Sequence, residues 1–176
     1  MAYTEQFKRA RRSLRKLQIL SELTASENIS IPSPQQDEYV DALYHCFQDC
    51  WHLKDWIKHD DSAPTALKDA ARRMEKAKVN EKNWVESLML CADVANGSKH
   101  FKLTPRPPRL NAETQVAIMV KVRESIHDNA QGEATVAFRY SIVEPSGKDH
   151  DVLSVAQQAL AEWEKLITEN QGMIPS

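Results

Sequence analysis

Glycine is scarce in this chain, with 4 in 176 residues. That scarcity excludes collagen-like and Gly-rich low-complexity architectures, and no Gly-rich phosphate loop, GxSxG elbow or dinucleotide fingerprint is present. No apolar run approaches the roughly 20 residues that a membrane span requires, so no membrane partner is expected. The first residues, Met1 to Phe7, contain no apolar stretch followed by a small-residue cleavage site, and no secretory leader is expected. Cysteine is limited to Cys46, Cys50 and Cys91, an odd number with no CxxC spacing. Free buried thiols in a reducing compartment follow, and with them a cytoplasmic location.

What is there is an ordinary globular composition, 41% hydrophobic and 27% charged, with a net charge of −2. The length suits one domain over residues 1–176. Tyr3, Phe7, Ala10, Leu14 and Leu17 recur at helical spacing and predict a first helix over about residues 3–23. Pro32 and Pro34 break the connector that follows. Ser33, Pro34 and Gln36 form a start signal for a second helix, which extends to about Lys58. Its apolar arc is Val40, Leu43, Tyr44, Phe47, Cys50, Trp51 and Ile57. Lys54 falls within that arc, where it must either snorkel or pair with a carboxylate. A short third helix is expected over about 64–78. A fourth is expected from Glu81, capped by Asn80, to about His100, with Pro105, Pro107 and Pro108 beyond it.

The period then changes from helical to alternating. Val116, Ile118, Val120 and Val122 alternate, as do Ala134, Val136, Phe138, Tyr140 and Ile142. These predict a β-hairpin of strands at about 114–126 and 133–144, closed by Pro145-Ser146-Gly147. A last helix carries Val152, Val155, Ala156, Ala159, Leu160, Trp163, Leu166 and Ile167 on its core face. The fold class is therefore mainly α: a bundle of four to five helices with a hairpin inserted before the C-terminal helix.

Three groups of residues could carry chemistry. Lys8, Arg9, Arg11, Arg12, Arg15 and Lys16 place six cations within nine residues. They form either a solvated helix face or a surface for phosphate or an acidic partner. His45, Asp49, His52 and His59 form a stripe on the second helix, read as an exposed polar face or as part of a site. Neither the His-Glu-x-x-His pair of zinc proteases nor the Glu-x-x-His repeat of di-iron bundles is present, so no metal and no cofactor is expected. The third group is Asn96-Gly97-Ser98-Lys99-His100. Met89, Asp93, Asn96 and His100 share one face there, and Gly97 signals a helix end or a close approach. An imidazole at such an end suits proton transfer or holding a phosphate oxygen.

Asn96-Gly-Ser-Lys-His100 resembles the polar-x-x-x-His part of the motif of the HEPN superfamily. Those are prokaryotic bundles of four or five helices, many of them RNA-cleaving toxins or defence effectors. The segments HCFQDCWHLKDWIKHD and CADVANGSKHFKL are also similar to a group of uncharacterised bacterial and phage proteins. The resemblance implies His100 as the acid/base group or phosphate ligand and Asn96 as its orienting partner. Lys99, His52 and Asp55 would complete the catalytic set. It further implies RNA as the substrate, metal-independent cleavage, a toxin–antitoxin or antiphage setting and a homodimer with the site between copies. The family's Arg position is Ala95 in this chain, and Lys99 projects about 100° from His100 on the same helix. The alternative is a non-catalytic module of the same fold that binds a protein partner.

Overall fold

The computed structural model describes residues 2–26, 34–79, 81–97, 110, 113–123 and 133–170. Among them are helices α1 (Ala2–Ser26), α2 (Pro34–His59), α3 (Thr65–Lys76), α4 (Glu86–Gly97) and α5 (Val152–Glu169). Strands β1 (Glu113–Arg123), β2 (Glu133–Val143) and β3 (Asp149–Asp151) lie between α4 and α5. The fold is mainly helical with an antiparallel hairpin before the last helix, as the periodicity requires. Pro34 opens α2, where its fixed φ costs nothing and its absent N–H is not needed. Ser33, the expected cap, lies outside the described residues, as do Asn80 and residues 124–126.

The apolar faces of α1, α2 and α5 go where their spacing points. Tyr3, Phe7, Ala10 and Leu17 of α1 are wholly buried, as are Phe47, Cys50 and Ile57 of α2. One buried cluster takes in residues from all five helices and from β2. α1 and α2 run antiparallel, tied by Tyr3 to Asp60 at one end and by Lys16 to Glu38 at the other. α5 packs beside them through Trp163, which is fully buried and donates its indole N–H to the Cys50 carbonyl at 2.8 Å. An indole of this size can enter a core only if its one donor is satisfied there.

β1 and β2 pair along their full length, from Glu113 opposite Val143 to Arg123 opposite Glu133. The sheet has a third strand that the alternation does not announce. β3 pairs with β2, placing Ser141 opposite Asp151 and Val143 opposite Asp149. Its three residues are Asp, His and Asp, so no apolar alternation marks it. The turn before it makes the pairing: Gly147 adopts φ 85°, and the Glu144 N–H donates to the Lys148 carbonyl at 2.9 Å. Asp151 then caps α5, accepting from the Ser154 N–H at 2.8 Å.

α4 begins later than its sequence suggests. Residues 81–85 are used in tight turns, in which the Glu81 and Trp84 N–H groups donate to the carbonyls of Lys78 and Glu81. The Glu81 carboxylate accepts from the Lys78 N–H at 2.8 Å, closing that turn where a helix was expected to start.

Candidate functional site

α4 ends on Asn96 and Gly97, the first two residues of the segment that resembles the HEPN motif, and the helix's environment bears on what they can do. Every residue from Ser87 to Ala95 is buried. The helix is enclosed by α2, α5 and β1. Of the face expected to carry Met89, Asp93, Asn96 and His100, Met89 and Asp93 are in the core at 1% exposure each, and His100 lies outside the described residues. A short helix surrounded on all sides has no amphipathic signature that a wheel projection could read. Asn96 is the first residue to emerge, half-buried at the last turn, and its side-chain amide donates back to the Ala92 carbonyl. Ala95, at the family's Arg position, is 1% exposed. Lys99 and His100 lie outside the described residues, so their approach to His52 and Asp55 carries no geometry.

The α2 residues are engaged elsewhere. Asp55 accepts from Lys54 at 2.6 Å and from Lys58 at 2.8 Å. Glu75 of α3 binds the same two ammonium groups at 3.2 and 2.7 Å. Two cations and two carboxylates thus close a neutral square between α2 and α3. Burial pushes the Asp55 carboxyl upward, but hydrogen bonds from Lys54 and Lys58 outweigh it and hold the group below its ordinary value. Glu75 is lowered by the same contest between burial and its Lys58 and Lys54 partners. Lys58 is raised, its two carboxylate bonds overcoming a burial that would lower it. Lys54, which the sequence left between two fates, is 5% exposed, pairs with both acids and sits 4.6 Å over the Trp51 ring. Asp55 is thus a committed anion in a structural pair, ill suited to donate a proton.

The histidine stripe divides in the same manner. His45 and His59 are exposed, and His52 is half-buried. Asp49 faces α1, accepting from Ser13 Oγ at 2.6 Å and Gln6 Nε2 at 3.1 Å. It joins two helices and so does not belong to a polar surface. Several cations of the basic run of α1 pair with the chain's own groups at the surface. Arg11 pairs with Glu164 at 2.8 Å, Arg12 with Glu5 at 3.1 Å, and Lys16 with Glu38 at 3.0 Å. The Arg9 guanidinium lies 5.6 Å over the ring of Trp56.

The three cysteines are free and buried, as their helical positions require. A hydrogen bond to Cys50 and burial together push the Cys46 thiol far up. Cys50 accepts from Cys46, which alone would lower it, but donation to Cys91 and burial raise it well above the ordinary value. Cys46 and Cys50 are thereby held in the protonated thiol form.

No protein-family model, curated protein or solved structure matches this chain.

A second polar cluster lies away from these residues. Among the described residues, Glu86, Glu144 and His150 are the group of three whose ligand-type atoms fall within 4.8 Å of one another. They come from the start of α4, the β2–β3 turn and β3. No local motif joins them, because Glu86 is brought to the turn only by packing. The one signal in the sequence was Pro145-Ser146-Gly147, which brackets Glu144 and His150 around a reversal.

Proposed function

We propose that this chain is a HEPN-like helical module that binds a protein partner and does not itself cleave RNA. The observation that carries this reading is Ala95. The motif's guanidinium would have to stabilise a phosphorane-like transition state. Here its position holds a methyl group packed in the core at 1% exposure. Asp55 supports the same reading, since its carboxylate is spent on Lys54 and Lys58. So does the α1 basic run, whose Arg11, Arg12 and Lys16 already meet carboxylates of this chain.

A metal-independent ribonuclease is the second reading, favoured by Asn96. It is the residue at which α4 leaves the core, half-buried at the last turn, so this tip of the helix is within reach of a substrate. In either reading the chain works as a homodimer, as the resemblance implies, in a reducing cytoplasmic setting that suits three free thiols. No helix among the described residues is long and apolar enough to cross a membrane.

The deciding experiment incubates purified protein with single-stranded RNA in the presence of a chelator. The module leaves the RNA intact, and His100→Ala changes nothing, while light scattering reads a dimer. Cleavage by the natural chain that disappears in His100→Ala overturns the module and establishes the nuclease.

A further inference from the structure

The cluster at the start of α4 has the composition and spacing of a cation site, and it stands apart from Asn96 at the other end of the same helix. Oε1 of Glu144 lies 2.6 Å from Nε2 of His150, and both side chains are only 11% exposed. Glu86 completes the group from the helix, more open at 46%. The ammonium of Lys148 stands in the same space, 2.6 Å from Glu86 Oε1 and 3.8 Å from Glu144 Oε1. A positive charge is therefore already accepted between these two carboxylates. It is delivered by a side chain that is 52% exposed and free to swing outward on its four-carbon stem.

We propose that Glu86, Glu144 and His150 bind a divalent transition-metal ion of the zinc type, with Lys148 as a tethered competitor for the same position.

Four features support the assignment. Two carboxylates and one imidazole form a donor set that suits zinc and its neighbours, whereas magnesium and calcium take oxygen ligands alone. Three protein ligands leave a fourth position open to water or to a ligand. The charges also favour exchange. Two carboxylates facing one ammonium keep an excess negative charge, which a divalent ion in its place cancels. Finally, the donors are held in advance. The turn carrying Glu144 and Lys148 is fixed by Gly147 at φ 85° and by the Gly147 N–H donating to the Glu144 carbonyl at 2.8 Å. β2 is anchored below it by the buried Tyr140 and Ile142. A lysine ammonium is fully charged at neutral pH, so the competitor acts as a cation there. On metal binding the proton that Nε2 of His150 donates to Glu144 is released to solvent or moves to Nδ1, which leaves a lone pair on Nε2 for the metal, and Glu144 becomes a co-ligand.

The role of Lys148 gives the proposal its test. Zinc is titrated into the full-length chain by calorimetry, with cobalt as a second probe read by its visible absorption and magnesium as the contrast. The natural chain binds zinc weakly, and Lys148→Met binds it about tenfold more tightly because the competing ammonium is gone. Adding His150→Ala to Lys148→Met removes that gain and abolishes the cobalt bands, while circular dichroism reads the fold. If His150→Ala fails to fold, Glu144→Gln in the Lys148→Met background serves the same purpose with less change of shape. Failure of Lys148→Met to bind zinc more tightly than the natural chain overturns the proposal, as does binding that survives loss of a ligand in a folded variant. Neither outcome bears on RNA cleavage, which reads the other end of α4.

Discussion

The backbone N–H of Tyr3 donates to Oδ2 of Asp60 at 3.0 Å, across 57 positions of sequence. The first turn of a helix has N–H groups with no partner inside the helix, and a side chain just before it usually supplies one. Here the cap of α1 comes from the loop that follows α2. Ser62 holds the same carboxylate in place, through its N–H at 2.9 Å and its hydroxyl at 2.6 Å. The start of α1 and the end of α2 are thereby fixed together.

Asp60→Ala removes this cap and lowers the unfolding free energy by about 1–2 kcal/mol, measured by urea denaturation. Burial opposes ionisation of Asp60, but hydrogen bonds from Ser62 and the N–H groups of Tyr3, Ser62 and Ala2 bring its carboxyl down to about 2 from 3.8. A depressed carboxyl stabilises the fold above its unfolded value and loses that contribution as pH falls toward the folded one. Stability therefore declines between about pH 4 and pH 2 in the natural chain. Asp60→Asn flattens that limb. An unchanged acid limb in Asp60→Asn would show that other carboxylates set it.

Lys54→Ala leaves Asp55 and Glu75 to share Lys58 and opens a void beneath Trp51, costing about 3 kcal/mol. Lys54→Met keeps the packed stem and loses only the charge. Because Asp55 and Glu75 are 40% and 32% exposed, water takes over much of their solvation, and the cost stays under about 1.5 kcal/mol. Equal losses in the two variants would mean that the charge, not the packing, matters at Lys54.

Tyr39 and Tyr140 stack with ring centroids 4.2 Å apart. Burial first, then the nearby Asp151 and Tyr140, push the Tyr39 phenol up to about 12. The neutral form is the one that the fold prefers, so this contribution is complete below about pH 10 and is lost as pH rises toward 12. Tyr39→Phe removes the alkaline limb of stability, read as thermal midpoint against pH. An ultraviolet titration that shows all phenols ionising together would contradict the assignment.

Ala95→Arg restores the family motif on paper. At 1% exposure the guanidinium enters the core without a partner, and the variant loses several kcal/mol and gains no RNA cleavage. A folded, cleaving Ala95→Arg variant would show that α4 can turn this position outward.

α1 and α5 were legible because their burial follows their period. Tyr3, Phe7, Ala10, Leu14 and Leu17 were chosen by spacing and all are buried, as are Val152, Val155, Ala159 and Trp163 of α5. The hairpin was legible from the alternation of apolar residues, and β1 and β2 pair over those two runs. β3 was not, because a strand of Asp149, His150 and Asp151 is specified by a turn and by backbone pairing, not by its side chains. The site residues read less well. A wheel projection separates polar from apolar positions on α2 but cannot tell that α1 covers Asp49 or that α3 supplies Glu75. The Glu86–Glu144–His150 group was hidden for a related reason: the Pro145-Ser146-Gly147 turn hints at Glu144 and His150, but only the packed chain brings Glu86 to them.

Because its flanks are sealed, α4 resembles a rod seen only at its tips. Glu86 shows at one tip and Asn96 at the other, with nine residues hidden between them. New binding chemistry on this helix can thus be acquired at its ends while its middle stays fixed. The two tips can also be altered independently, each without disturbing the other.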